Sequence, residues 1–142
     1  MTIAQALKEK NKIGAKLLKH WGKLKSDNSI IEGSNRSYDP LILLKEIDEM
    51  SQNLIELKTK IHIASSTIRS KIFRMSELKS YITHLKSVST KDGYVKDRYD
   101  NSVINMDAVL KTIEIDAILE KIESEIESIQ DELDIFNHQT SI

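Results

Sequence analysis

The chain has no cysteine, a single proline, four glycines and one tryptophan in 142 residues, and each shortage excludes something. Without a thiol there is no disulfide, no thiolate metal site and no thiol nucleophile, so packing alone must hold the fold. With Pro40 as the only proline, helical patterns run long and their breaks are few. The longest unbroken aliphatic run, Leu41 to Leu44, is far too short to span a bilayer. The opening stretch MTIAQALKEKNK lacks the apolar core of an export signal, which makes a cytoplasmic location the expectation.

What is present is ordinary for one globular domain over residues 1–142: 39% hydrophobic and 30% charged residues. The formal charge of -1 hides a strong asymmetry. Residues 1–26 hold seven Lys against one Glu, net +6, whereas residues 107–142 hold ten acids against two Lys, net -8.

Apolar spacing predicts four helices. Thr2 and Gln5 form a capping box, and Ile3, Leu7, Gly14, Leu17, Trp21 and Leu24 follow at helical steps, giving a first helix over about 2–26. Asp39 followed by Pro40 is an N-cap with the residue best suited to the first helical position. From there Leu43, Ile47, Met50, Leu54, Leu57, Ile61 and Ala64 keep a four-three spacing typical of a coiled-coil-like seam, over about 40–64. Apolar positions resume at Ile68, Met75, Leu78, Ile82 and Leu85, over about 67–88. Two readings fit the junction. Either Thr67 caps a third helix after a tight helical hairpin, which three consecutive hydroxyl residues favour, or the two segments form one rod of roughly 70 Å. A long polar connection follows, and a last helix over about 107–137 carries Ile115, Leu119, Ile122, Ile126, Ile129, Leu133 and Phe136 on one seam. Val109, Leu110, Ile113 and Ala117 lie on another side, which predicts that this helix changes contacts partway.

Four amphipathic helices bury their stripes most simply as an all-α, antiparallel four-helix bundle. Their charges, +6, -1, +4 and -8, alternate in sign around such a bundle and disfavour wrong pairings. The same topology brings the first and last loops to one end, where Ser29–Glu32 is placed to pair with Ser102–Asn105 as a two-stranded ribbon.

The chemistry is sparse. Lys8, Lys12, Lys16, Lys19 and Lys23 fall on one face of the first helix, opposite Ile3, Leu7, Leu17, Trp21 and Leu24. That pattern suits an interfacial membrane helix and equally a bundle helix with one solvated face, in which Trp21 belongs to the core. The lysine face has no interleaved aromatics and the overall balance is slightly acidic, so no nucleic-acid partner is expected. A di-iron bundle needs Glu-x-x-His pairs, and none of His20, His62, His84 or His138 has a Glu three residues before it. Asp134 and His138, four apart, read as a surface contact. Acids at 116, 120, 123, 127, 131 and 134 form a stripe away from the seam of the last helix and read as a solvated face. No catalytic, cofactor or metal site is therefore expected. The best candidate for a site is the loop end, where Glu32, Arg36, Tyr38, Asp97, Arg98 and Tyr99 are placed to converge, with Asp97 and Arg98 the groups an enzyme would use.

The order of short motifs resembles the septicolysin-like family of small bacterial helical proteins over nearly the whole length. Ala4-Gln5-Ala6-Leu7, Glu32-Gly33, Asp39-Pro40, Asp97-Arg98-Tyr99 and Asn137 to Thr140 carry the likeness. The chain departs from the family pattern at Ala64 to Thr67, at Arg74-Met75-Ser76 and at His138, where the family has a Trp. The resemblance implies a self-associating helical bundle, and the family's name suggests a lysin. The expectation is a non-enzymatic interaction or assembly module that forms homo-oligomers, with a membrane-active protein using the basic first helix as the alternative.

Overall fold

A capping box opens the first helix. In the computed structural model, which describes all residues 1–142, the Thr2 hydroxyl accepts the Gln5 N–H (3.2 Å) and the Gln5 side chain accepts the Thr2 N–H (2.9 Å). Helix α1 then runs Ile3–Asp27. Asp39 accepts the Leu41 N–H at 2.9 Å and opens α2, Pro40–Ala64, with Pro40 at its first turn. A single 3-10 turn, Ser66–Ile68, joins α2 to α3, Arg69–Lys86. Two short strands follow, β1 (Gly93–Lys96) and β2 (Val103–Met106), and then α4, Thr112–Gln139. The molecule is mostly helical, as the periodicities require, and carries one small two-stranded sheet.

The chain divides into two compact units. The first comprises Met1–Ile68 with Asp134–Ile142, the second Arg69–Leu133. In the first unit α1 and α2 pack side by side and antiparallel, with His20 beside Glu46. Ile3, Ala6, Leu43, Ile47 and Ile68 are its buried side chains, Ile3 and Ile47 at 1% exposure. The two ends of the chain meet there. Ile3 N–H donates to the Thr140 carbonyl (2.9 Å) and Ile142 N–H to the Met1 carbonyl (3.1 Å), around an antiparallel bridge between Thr2 and Ser141. Thr2 thus serves both the cap and the bridge. Thr2→Ala is expected to cost about 1 kcal/mol, the usual price of a lost N-cap hydroxyl, seen as a lower thermal midpoint.

In the second unit α3 and α4 are joined by Lys71–Glu132, Arg74–Glu125 and Lys86–Glu123 ion pairs. Its buried residues, Ile115, Ile129 and Leu133, all come from the predicted α4 seam, with Leu119, Ile122 and Ile126 half-buried between them.

Four expectations need correction. The ribbon does not join the first and last loops: β1 pairs with β2, Gly93 opposite Met106 through Lys96 opposite Val103, and Ser29–Glu32 forms no strand. The local Asp97–Ser102 turn closes a far shorter loop than the ~70 residues between the expected partners, a difference of about 2 kcal/mol in closure entropy. Asn101 at φ 58° supplies the left-handed backbone of that turn, and Gly93 at φ 78° the one at the start of β1. Helix α4 starts at Thr112 rather than near Asp107, because Lys111 is its cap: the Lys111 carbonyl accepts the Glu114 and Ile115 N–H groups, and Glu114 accepts the Lys111 N–H at 3.2 Å. Val109 and Leu110 therefore precede the helix, and with Ile113 and Ala117 they are exposed rather than packed on a second partner. Thr67 lies inside the 3-10 turn and does not cap α3. Finally, Trp21 is not core: it remains 40% exposed, in a groove with Leu24, Pro40, Leu41 and Leu44, because the neighbouring α2 covers only part of a ring this large.

Candidate functional site

The lysine row of α1 is built as its spacing dictates. Lys8, Lys12, Lys16 and Lys19 are exposed and Lys23 half-exposed, on the side away from buried Ile3 and Ala6. None of the five is in an ion pair. Lys23 instead sits 4.5 Å from the centre of the Tyr38 ring, a cation–π contact. Lys16, Lys19 and Lys23 line an open groove of about 380 Å³ with His20, Glu46, Glu49, Met50 and Asn53. His20 anchors its floor: one ring nitrogen lies 3.1 Å from the Lys16 carbonyl and the other 2.7 Å from Glu46. The residue's role was not visible in sequence, since its partner lies on the neighbouring helix.

The loop-end residues fall into both units, and each set has a local role. Arg36 donates to the Asp27 carbonyl (3.0 Å) and the Asn28 carbonyl (3.2 Å), closing the C-terminal end of α1, where a cation is favoured. Tyr38 N–H donates to the Asp27 carboxylate (3.2 Å), so the loop lies along the helix it leaves. Glu32 is exposed. In the second unit Asp97 accepts the Tyr99 N–H (2.8 Å) and Asp100 accepts both the N–H (2.9 Å) and hydroxyl (2.6 Å) of Ser102. These contacts lower the Asp100 pKa, the Ser102 hydroxyl first and its N–H second. Arg98 and Tyr99 are exposed, Tyr99 at 93%. An open cleft of about 570 Å³ runs beside them, lined also by Lys91, Val95, Ile104 and Met106.

The ribbon is tied to the start of α4 by a cluster the sequence did not single out. Asp92 accepts the Lys111 ammonium (2.6 Å) and the Ala108 N–H (3.2 Å), and the Thr112 hydroxyl donates to that of Thr90 (2.9 Å). The Lys111 hydrogen bond is the main reason the Asp92 carboxyl titrates below its ordinary range, with the Ala108 N–H second, and the same bond raises Lys111. The sign of each shift sets a window. The Asp92 contribution is complete above the ordinary value of 3.8 and is lost as pH falls through its depressed pKa; that of Lys111 is complete below 10.5 and is lost as pH rises through its raised pKa. Protection of the Gly93–Lys96 and Val103–Met106 amides, relative to their intrinsic exchange at each pH, is expected to fall on both sides of this window, and Asp92→Asn to remove the acid limb. Unchanged exchange in Asp92→Asn at neutral pH is the contrary result.

Elsewhere no three His, Asp or Glu side chains are grouped to hold a metal ion. No helix is long and apolar enough to cross a membrane. The chain matches no protein-family model, no curated protein and no solved structure.

Proposed function

We propose that the chain is a non-enzymatic helical assembly module, an antiparallel four-helix bundle that self-associates in the cytoplasm. The observation that carries this reading is a row of five lysines on α1 without an ion-pair partner, in a chain whose α4 presents a row of acids on its own outer face. Apolar residues left outside both helix pairs support it: Leu41 is 79% exposed and Phe73 63%. Scattered exposed apolar side chains are normal, but here they accompany a core of eight buried residues. The resemblance to the septicolysin-like family favours the same self-associating bundle. Zero-length carbodiimide coupling, which joins only amines and carboxylates in contact, is expected to give dimers and higher species at low salt and to lose them at high salt. Only uncoupled chain at every concentration contradicts the reading.

A second reading, a membrane-active protein, is favoured by Leu18, 75% exposed on the lysine-rich helix, with Trp21 also partly open. Leakage of anionic vesicles tests it, with reversal of the Lys8, Lys12, Lys16, Lys19 and Lys23 charges expected to abolish leakage. Absent leakage, or equal leakage from both forms, ends it.

A further inference from the structure

Resting on the assembly reading, we infer that the occupant of the α1 lysine face is the acidic face of α4 from a second copy, laid antiparallel in one defined register. The two rows match in length and in rhythm. Lys8 to Lys23 and Asp116 to Asp131 each rise about 22 Å along their helices. Taken in opposite directions, their steps coincide: Lys23 stands level with Asp116, Lys19 with Glu120, Lys16 with Glu123, Lys12 with Glu127 and Lys8 with Asp131. A parallel alignment matches four of these levels and misses Lys16 by one residue. Antiparallel helix dipoles also attract, whereas parallel ones repel.

Both rows are open. The acids face away from the buried Ile115, Ile129 and Leu133 and are exposed. Asp116, Glu120, Glu127 and Asp131 have no ion pair, and Glu123 has only a long one, 3.9 Å from Lys86. On the lysine side, Glu46 and Glu49 border the groove; Glu46 is engaged by His20, Lys23 lies over the Tyr38 ring, and none of the five ammonium groups is in an ion pair. Each exposed pair is weak, so the contact is reversible, salt-sensitive and selective for a row of the right sign and spacing. It is a heterologous contact, α1 of one copy on α4 of another, which closes into a dimer or ring or grows open-ended according to the rotation it imposes.

Charge exchange between copies tests this. One variant carries Glu at positions 8, 12, 16, 19 and 23; the other carries Lys at 116, 120, 127 and 131, with Glu123 left to Lys86. Each alone is expected to self-associate about tenfold more weakly or worse, and an equimolar mixture to regain association, because the reversed α1 row of one meets the reversed α4 row of the other. Register is read separately with charges largely kept, which also serves if a multiply reversed chain fails to fold. The chain has no native thiol, so Lys8→Cys oxidised with Asp131→Cys is expected to give a mixed disulfide dimer, and Lys8→Cys with Asp116→Cys is not. Preferential coupling of position 8 to 116 overturns the antiparallel register. Variants that assemble like the parent overturn the α4 occupant while leaving the assembly reading standing, whereas a parent that is monomeric throughout removes the reading itself. Loss of binding to phosphatidylglycerol vesicles in the α1 variant, with self-association unchanged, assigns the lysine row to lipid instead.

Discussion

Ile47→Ala is expected to destabilise the protein by about 2–5 kcal/mol, the range for truncating a fully buried aliphatic side chain. Ile47 is 1% exposed, on the α2 seam with buried Leu43, in the unit where α1 and α2 pack. An interface with so few buried members has little capacity to collapse around a cavity. Against a typical total stability of roughly 5–15 kcal/mol, the loss is a large fraction, and urea denaturation is expected to show a lower midpoint with little change in slope. Ile55→Ala is the matched control: the same chemistry on the same helix at 58% exposure, where a change within about 0.5 kcal/mol is expected. Equal effects at the two positions are the outcome that contradicts the assignment of the seam.

The second large effect concerns α4. Leu133→Asp removes a buried side chain, 6% exposed, and places a carboxylate among apolar neighbours. Lost burial and the desolvation of an unpaired polar group together are expected to cost about 4 kcal/mol or more. Leu133→Met, which conserves volume, is expected to cost less than about 1.5 kcal/mol. The comparison separates packing from the mere presence of a substitution, and hydrogen exchange along α4 is the direct readout. Protection that survives Leu133→Asp places the seam on the wrong side of the helix.

Much of the fold was legible in sequence because helices announce themselves through local rules. The Thr2 and Asp39 caps and the four-three spacing from Leu43 to Ala64 each depend on residues within a few turns, and α2 begins at Pro40 and ends at Ala64 as that spacing requires. The α4 seam reads equally well, since Ile115, Ile129 and Leu133 are its buried members. What the sequence hid depends on contacts between distant residues. Asp92 reaches Lys111 and Ala108, and by holding that stretch beside the ribbon it coincides with the delayed start of α4, which apolar spacing placed near Asp107. The ribbon's partner is hidden because a strand's pairing depends on which turn closes, and the Asp97–Ser102 turn has Asn101 in a left-handed conformation. The exposure of Trp21 is hidden for a different reason. Periodicity says which side of a helix is apolar; it does not say how much of that side the neighbour covers.

The candidate surfaces were legible to the same extent. The lysine row of α1 and the acid row of α4 follow from helical geometry, whereas the absence of ion pairs at Lys8, Lys12, Lys16, Lys19 and Lys23 is a property of the folded chain. Arg36 and Tyr38, which the sequence offered as site residues, are occupied in holding the first loop against α1. The exposed Arg98 and Tyr99 have no comparable structural duty, whereas the neighbouring Asp97 shapes the turn.

Sedimentation equilibrium of the parent chain at low and at high salt tests the central claim most directly, because contacts between exposed charges weaken as the Debye length shrinks from about 30 Å at 0.01 M to about 3 Å at 1 M. The account predicts a mass well above the 16.2 kDa of one chain at low salt, falling toward that value at high salt. A mass of 16.2 kDa under both conditions contradicts it.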